Sequence, residues 1–129
     1  YQPSRGLGDV YKRQGIIISL AEHNGSYTSA FKNIYDWISV IETTVWSNNT
    51  LILLSTSDGQ NAGKTVLQTA LSRFSRQSKQ EIPHFSLPNF NENFSDTDGI
   101  INKKLSEELD KQISIFSSQV DNLLYSSNN

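Results

Sequence analysis

The chain of 129 residues has no cysteine, no methionine, two histidines and three prolines. Without cysteine there is no disulfide, no thiolate zinc site and no thiol nucleophile. His23 and His84 stand far apart and show no metal-ligand spacing. Basic residues form no cluster: 11 Lys and Arg face 13 Asp and Glu, for a net charge of −2. That balance speaks against nucleic acid or an anionic membrane as a partner. No apolar run approaches the roughly 20 residues that cross a bilayer. With 36% hydrophobic and 19% charged residues, what remains is the composition of one globular domain. The missing methionine leaves no initiator residue, so the expectation is a truncated reading frame. Residues 1–14 (Y-Q-P-S-R-G-L-G-D-V-Y-K-R-Q) show no helical or strand period and no signal-peptide core. They read as a non-native leader, set aside from fold reasoning.

From Gly15 onward two kinds of segment alternate. Residues 16–20 (I-I-I-S-L) and 50–56 (T-L-I-L-L-S-T) are short apolar runs, the pattern of parallel strands buried on both faces. Residues 82–87 predict a shorter third strand, with Pro83 near its start, where a missing N–H costs least. Helical spacing is met by Phe31, Ile34, Ile38 and Ile41 in residues 29–41. It recurs with Leu67, Ala70, Leu71 and Phe74 in residues 64–75, and with Leu105, Leu109, Ile113, Phe116, Val120 and Leu123 in residues 102–125. Residues 88–99 read as a polar loop. The order βαβαβα implies an α/β protein with a parallel sheet. Two loops leave strand carboxyl ends: residues 21–26, with an Asn24-Gly25 turn, and residues 57–63, with an Asp58-Gly59 turn. In an open parallel sheet, that edge is where ligands bind.

The first loop and its helix carry a resemblance. Leu20-Ala21-Glu22-His23-Asn24-Gly25-Ser26, followed by Phe31-Lys32-Asn33 and Asp36-Trp37, resembles the P-E-Y-N-G-S…L-K-N-x-x-D-W signature of the NAD(P)H-dependent FMN reductases. Ala21 stands where that family has Pro, and His23 where it has Tyr. The resemblance implies a three-layer, flavodoxin-like parallel sheet of order 2-1-3-4-5. The strands of this chain would be the third, fourth and fifth, making residues 15–129 the C-terminal part of such a domain. Their first strand would then be an open apolar edge, prone to association.

The resemblance also implies a site. The backbone of Glu22, His23, Asn24 and Gly25 would border the flavin ring, with Glu22 as a ring-contacting residue rather than a general acid. Ser57, Asp58 and Gly59 match the family's second loop, S-x-S-P-G-x-x-G-G, with Asp58 in place of Pro and Ala62 in place of Gly. Backbone donors at the pyrimidine edge would stabilise the charge the ring gains on reduction. No side chain is assigned a catalytic role. By spacing alone, residues 21–26 are an ordinary turn in which Ser26 or Thr28 caps the helix.

The implied activity is transfer of hydride from NAD(P)H through FMN to a small-molecule acceptor: a quinone, an azo compound, a metal oxyanion or free flavin. The implied setting is a cytoplasmic homodimer or homotetramer at full length. In this family a Ser/Thr/Asn-rich loop after strand one anchors the FMN phosphate at a helix start. Nothing here matches that loop, so the chain is expected to hold FMN weakly or not at all and to be inactive by itself. Two other readings stand beside this one. One is a flavin-free interaction module on the same scaffold. The other is a degenerate P-loop nucleotide binder, because Gly59-Gln60-Asn61-Ala62-Gly63-Lys64-Thr65 is one residue short of G-x-x-x-x-G-K-[ST].

Overall fold

The computed structural model describes residues 15–46 and 49–127; the leader expected at residues 1–14 lies outside them. In chain order the elements are β1 (Gly15–Leu20), β2 (Glu22–His23), β3 (Ser26–Tyr27), α1 (Ser29–Ile41), β4 (Thr50–Thr56), α2 (Lys64–Phe74), β5 (His84–Leu87), α3 (Phe90–Asn93), β6 (Phe94–Ser95), β7 (Gly99–Ile100) and α4 (Lys103–Ser127). Three of the strands form a parallel sheet of order β1-β4-β5. Ile16 lies beside Leu51 and Ile18 beside Leu53, so one face gathers these residues against Val66, Leu67, Ala70 and Phe74 of α2. The other face carries Ile17, Ile52 and Leu54 toward Leu109, Ile113, Phe116 and Val120 of α4. The result is three layers, with α1 and α2 on one side and α4 on the other. This is the α/β fold expected.

β1 departs from the both-faces burial that its apolar run suggests. Ile17 is 65% exposed, and an apolar groove of about 410 Å³ runs between it, β4 and α4. The reason is geometric. A helix about 10 Å across covers roughly two strands spaced about 4.8 Å apart. α4, the long helix on this side, reaches β1 chiefly at Gly15, where Phe116 and Val120 would stand 2.9 Å from an added Cβ. Two glutamines hold α4 on the β5 side: the His84 amide donates to Gln112 Oε1 at 3.1 Å, and Gln119 Nε2 donates to the Glu81 carbonyl at 2.8 Å. Both bonds give partners to backbone groups at or beside an edge strand.

α1 begins where Thr28 Oγ1 accepts the Phe31 amide at 3.1 Å, so Thr28 is the cap of the two candidates. Its inner face is not the isoleucine stripe. Phe31 and Tyr35 point inward, while Ile34, Trp37, Ile38 and Ile41 are exposed. Phe31 and Tyr35 take the interior because they meet other rings there, Trp46 and Phe74. Tyr35 stacks on Trp46 with centroids 5.9 Å apart and meets Phe74 at 5.2 Å, while Tyr27 lies 5.3 Å from Phe31. Burial in this cluster pushes the Tyr27 phenol above its ordinary pKa; Tyr35 adds to the rise and Arg73 opposes it.

Residues 88–99 are built rather than open. Asn89 adopts a left-handed φ of 46° and starts α3, and Asn93 Nδ2 donates to the Pro88 carbonyl at 2.8 Å. β6 and β7 then pair, and Phe90 stacks on Phe94 at 4.9 Å. Elements this short leave no period to read.

Candidate functional site

Both loops singled out in the sequence leave the same edge of the sheet, because Leu20 at the end of β1 lies beside Ser55 near the end of β4. The first loop is a small hairpin in which Glu22 pairs with Tyr27 and His23 with Ser26. Its turn residues, Asn24 (φ 53°) and Gly25 (φ 75°), are both left-handed, as a two-residue hairpin turn requires. The turn presents His23, Asn24 and Gly25 to solvent, with nothing within 4 Å of where a Gly25 Cβ would stand.

The second loop is laced at both ends. At its tip, the Phe90 amide donates to the Ser57 carbonyl at 2.9 Å and the Asn89 amide to the Gly59 carbonyl at 3.0 Å. Inside the tip, the Gly59 amide donates to Ser57 Oγ at 3.3 Å. At its base, Ser55 Oγ donates to the Ala62 carbonyl at 2.7 Å and lies 2.9 Å from Ser86 Oγ, while Thr56 Oγ1 donates to the Leu87 carbonyl at 2.7 Å. Asp58 is exposed.

The structure gives Glu22 a task that sequence reading missed. Its carboxylate accepts the Val66 amide at 2.7 Å through Oε1 and Asn61 Nδ2 at 3.2 Å through Oε2. The N-cap of α2 is Gly63, in the left-handed region and without a side chain to offer. Glu22 therefore caps a helix 44 residues further along the chain, and its charge suits the positive end of the helix dipole. Its side chain is occupied; what it leaves to face a ligand is its backbone. A helix start with glycine and no local cap was the available signal, though nothing local names the distant partner. The carboxylate also stands where a P-loop would hold phosphate, which argues against the nucleotide reading.

The edge suits the polar rim of a planar ring. Among the described residues, no hydrogen bond engages the amides of Asn24, Gly25 or Asp58. Gly25 and Gly59 add no side chain in front of them; around Gly59 only Ser57 Oγ comes within 4 Å of an added Cβ, at 3.9 Å. His84, with Nδ1 lying 3.0 Å from the Ile82 carbonyl, is away from this edge and serves the strand. Among the described residues no cluster of His, Asp or Glu can hold a metal, and no helix is long and apolar enough to cross a membrane.

A three-layer α/β arrangement around a parallel sheet of order β1-β4-β5, with two loops at its carboxyl edge, fits the flavodoxin-like class. The profile of the NADPH-dependent FMN reductases matches residues 9–93, which includes both loops, and the chain belongs to that family. Its class is that of the NAD(P)H-dependent flavin oxidoreductases, with FMN as cofactor. Among solved structures, the chain is similar to FerB, a flavoenzyme NAD(P)H:(acceptor) oxidoreductase from Paracoccus denitrificans. The TM-score is 0.63 over 95% of this chain and 67% of that one, at 15% identity, a likeness of fold. Comparison with curated proteins by sequence gives no match.

Proposed function

We propose that the two loops hold the ring side of FMN, with the backbone of Glu22, His23, Asn24 and Gly25 on one flank and Ser57, Asp58 and Gly59 on the other. Bound FMN would accept hydride from NAD(P)H and pass electrons to a quinone, azo, metal-oxyanion or free-flavin acceptor in the cytoplasm. The residues of the chain bind the ring, orient it and set donors at its polar rim. The observation that carries this reading is the meeting of both loops at one sheet edge, with the amides of Asn24, Gly25 and Asp58 not engaged by any hydrogen bond among the described residues. On the same reading, residues 15–129 are the C-terminal part of the reductase domain.

Glu22 fills the anion position at the start of α2, which closes that terminus to the FMN phosphate, and the sequence has no match to the family's Ser/Thr/Asn-rich phosphate loop. Riboflavin, which lacks the phosphate, is therefore expected to bind this chain as well as FMN does, weakly and within about threefold, a difference under 1 kcal/mol. Flavin fluorescence quenching measures both. Much tighter FMN binding, or flavin that co-purifies stoichiometrically, would place a phosphate site within the chain and overturn this division. Binding of neither flavin, even after the missing part of the domain is restored, would favour the flavin-free module. Mg²⁺-dependent nucleoside triphosphate binding abolished by Lys64→Ala would restore the P-loop reading.

The outer face of α1 supports a homodimer or homotetramer. Ile34, Trp37, Ile38 and Ile41 form one apolar stripe, with Trp37 65% and Ile41 77% exposed. The Trp37→Glu/Ile41→Glu variant is expected to sediment as a monomer with unchanged far-ultraviolet dichroism, against a dimer or larger for the parent. A monomeric parent would end this reading.

A further inference from the structure

The first loop is a hairpin of two-residue strands, a length that is marginal without outside support. The second loop ends in two successive left-handed residues, Ala62 and Gly63, before a helix with no side-chain cap of its own. Among the described residues, the hydrogen bonds joining the two loops all run through Glu22: Oε1 to the Val66 amide and Oε2 to Asn61 Nδ2. Asn61 in turn holds the last turn before α2, since its carbonyl accepts the Lys64 amide at 2.9 Å. Two oxygens with separate partners fix the carboxylate in orientation as well as position. Because Glu22 belongs to β2, the turn at Asn24 and Gly25 is fixed in turn relative to the residue 57–63 loop.

We propose that Glu22 is a positioning residue that sets the spacing of the two flavin loops through its side chain, without that side chain touching the ring. This rests on the flavin reading given above. Glutamine can keep the arrangement: its oxygen accepts from Val66, and its NH₂ faces Asn61, whose amide can turn to present oxygen. Alanine keeps neither bond.

The test compares the parent chain with Glu22→Ala, Glu22→Gln and a remote control, Asn102→Ala. The control removes the cap that Asn102 Oδ1 gives the Leu105 amide at 3.1 Å at the start of α4. FMN affinity is read by fluorescence quenching, and the Val66 amide by hydrogen exchange. Glu22→Ala is expected to weaken FMN about tenfold, the order of effect produced when a binding group is misplaced through its support. Val66 protection should fall with it. Glu22→Gln should stay within about threefold of the parent with Val66 still protected, because both bonds survive. Asn102→Ala should melt earlier with FMN affinity unchanged. Lost Val66 protection with parental affinity in Glu22→Ala would reduce Glu22 to a helix cap and overturn the proposal. Equal loss in Gln and Ala would mean that the charge itself meets the ring, which also overturns it. A parent chain that binds no FMN sinks the flavin reading and this inference with it, a case told apart because Val66 protection still reports the Glu22 link.

Discussion

Phe74→Ala is expected to lower stability by about 3–5 kcal/mol, the usual cost of emptying a ring-sized site in a core. Phe74 is fully buried at the end of α2 and meets three other rings: Trp46 at 5.0 Å, Tyr35 at 5.2 Å and Phe31 at 6.4 Å. It therefore joins α2 to α1 and to the connection that follows α1. Removing it leaves a void that three large, stiff side chains cannot close. Domains of this kind have about 5–15 kcal/mol in total, so a large share of the margin goes at once. Phe74→Leu fills most of the volume and loses the ring pairs, at about 0.5–1.5 kcal/mol each, so it should fall between parent and alanine. Urea unfolding followed by tryptophan fluorescence is the measurement; the midpoint should drop with little change in slope. A loss for Phe74→Ala below about 1 kcal/mol would show that the aromatic cluster is not what holds α1 to the sheet.

How much of this was legible depended on the range of the information. β4 announced itself because a strand covered on both sides must be apolar throughout, and T-L-I-L-L-S-T is apolar until its carboxyl end. Asn24-Gly25 announced a turn because the left-handed region admits few other pairs, though not that the turn closes a small hairpin. Both facts are local. The inner face of α1 was not local: helical spacing allowed two stripes, and Trp46 and Phe74, distant in sequence, drew Phe31 and Tyr35 inward. The same holds within the family motif. Its Lys32 and Asp36 prove to be an exposed pair one turn apart, at 2.6 Å, of little energetic consequence. Its Glu22 acts across 44 residues on a helix the motif does not contain. That the two loops leave one sheet edge could be read from the sequence; the Glu22 brace that joins them could not.

Gly63→Ala is expected to cost about 2–5 kcal/mol, and the sum has two separable parts. Gly63 sits at φ +71°, where an alanine pays about 1–2 kcal/mol for the left-handed backbone. Its new Cβ would also stand 3.0 Å from Ser55 Cβ and 3.3 Å from Ser55 Oγ, and forcing atoms into a filled core adds about 1–3 kcal/mol. Gly25→Ala isolates the first part, because Gly25 has φ +75° and open space around it. With roughly 4 °C of melting temperature per kcal/mol, Gly63→Ala should melt about 8–20 °C below the parent and Gly25→Ala about 4–8 °C below. The crowding also reaches the site. Ser55 Oγ holds the Ala62 carbonyl and lies against Ser86, so pushing it aside loosens the base of the second loop. Ser55→Gly removes both crowding atoms. In the double variant Gly63→Ala/Ser55→Gly the losses should therefore sum to less than the two single losses, by about 1 kcal/mol or more. Strict additivity, or equal melting temperatures for the two alanine variants, would mean that Ser55 yields freely and that the cost at Gly63 is backbone strain alone.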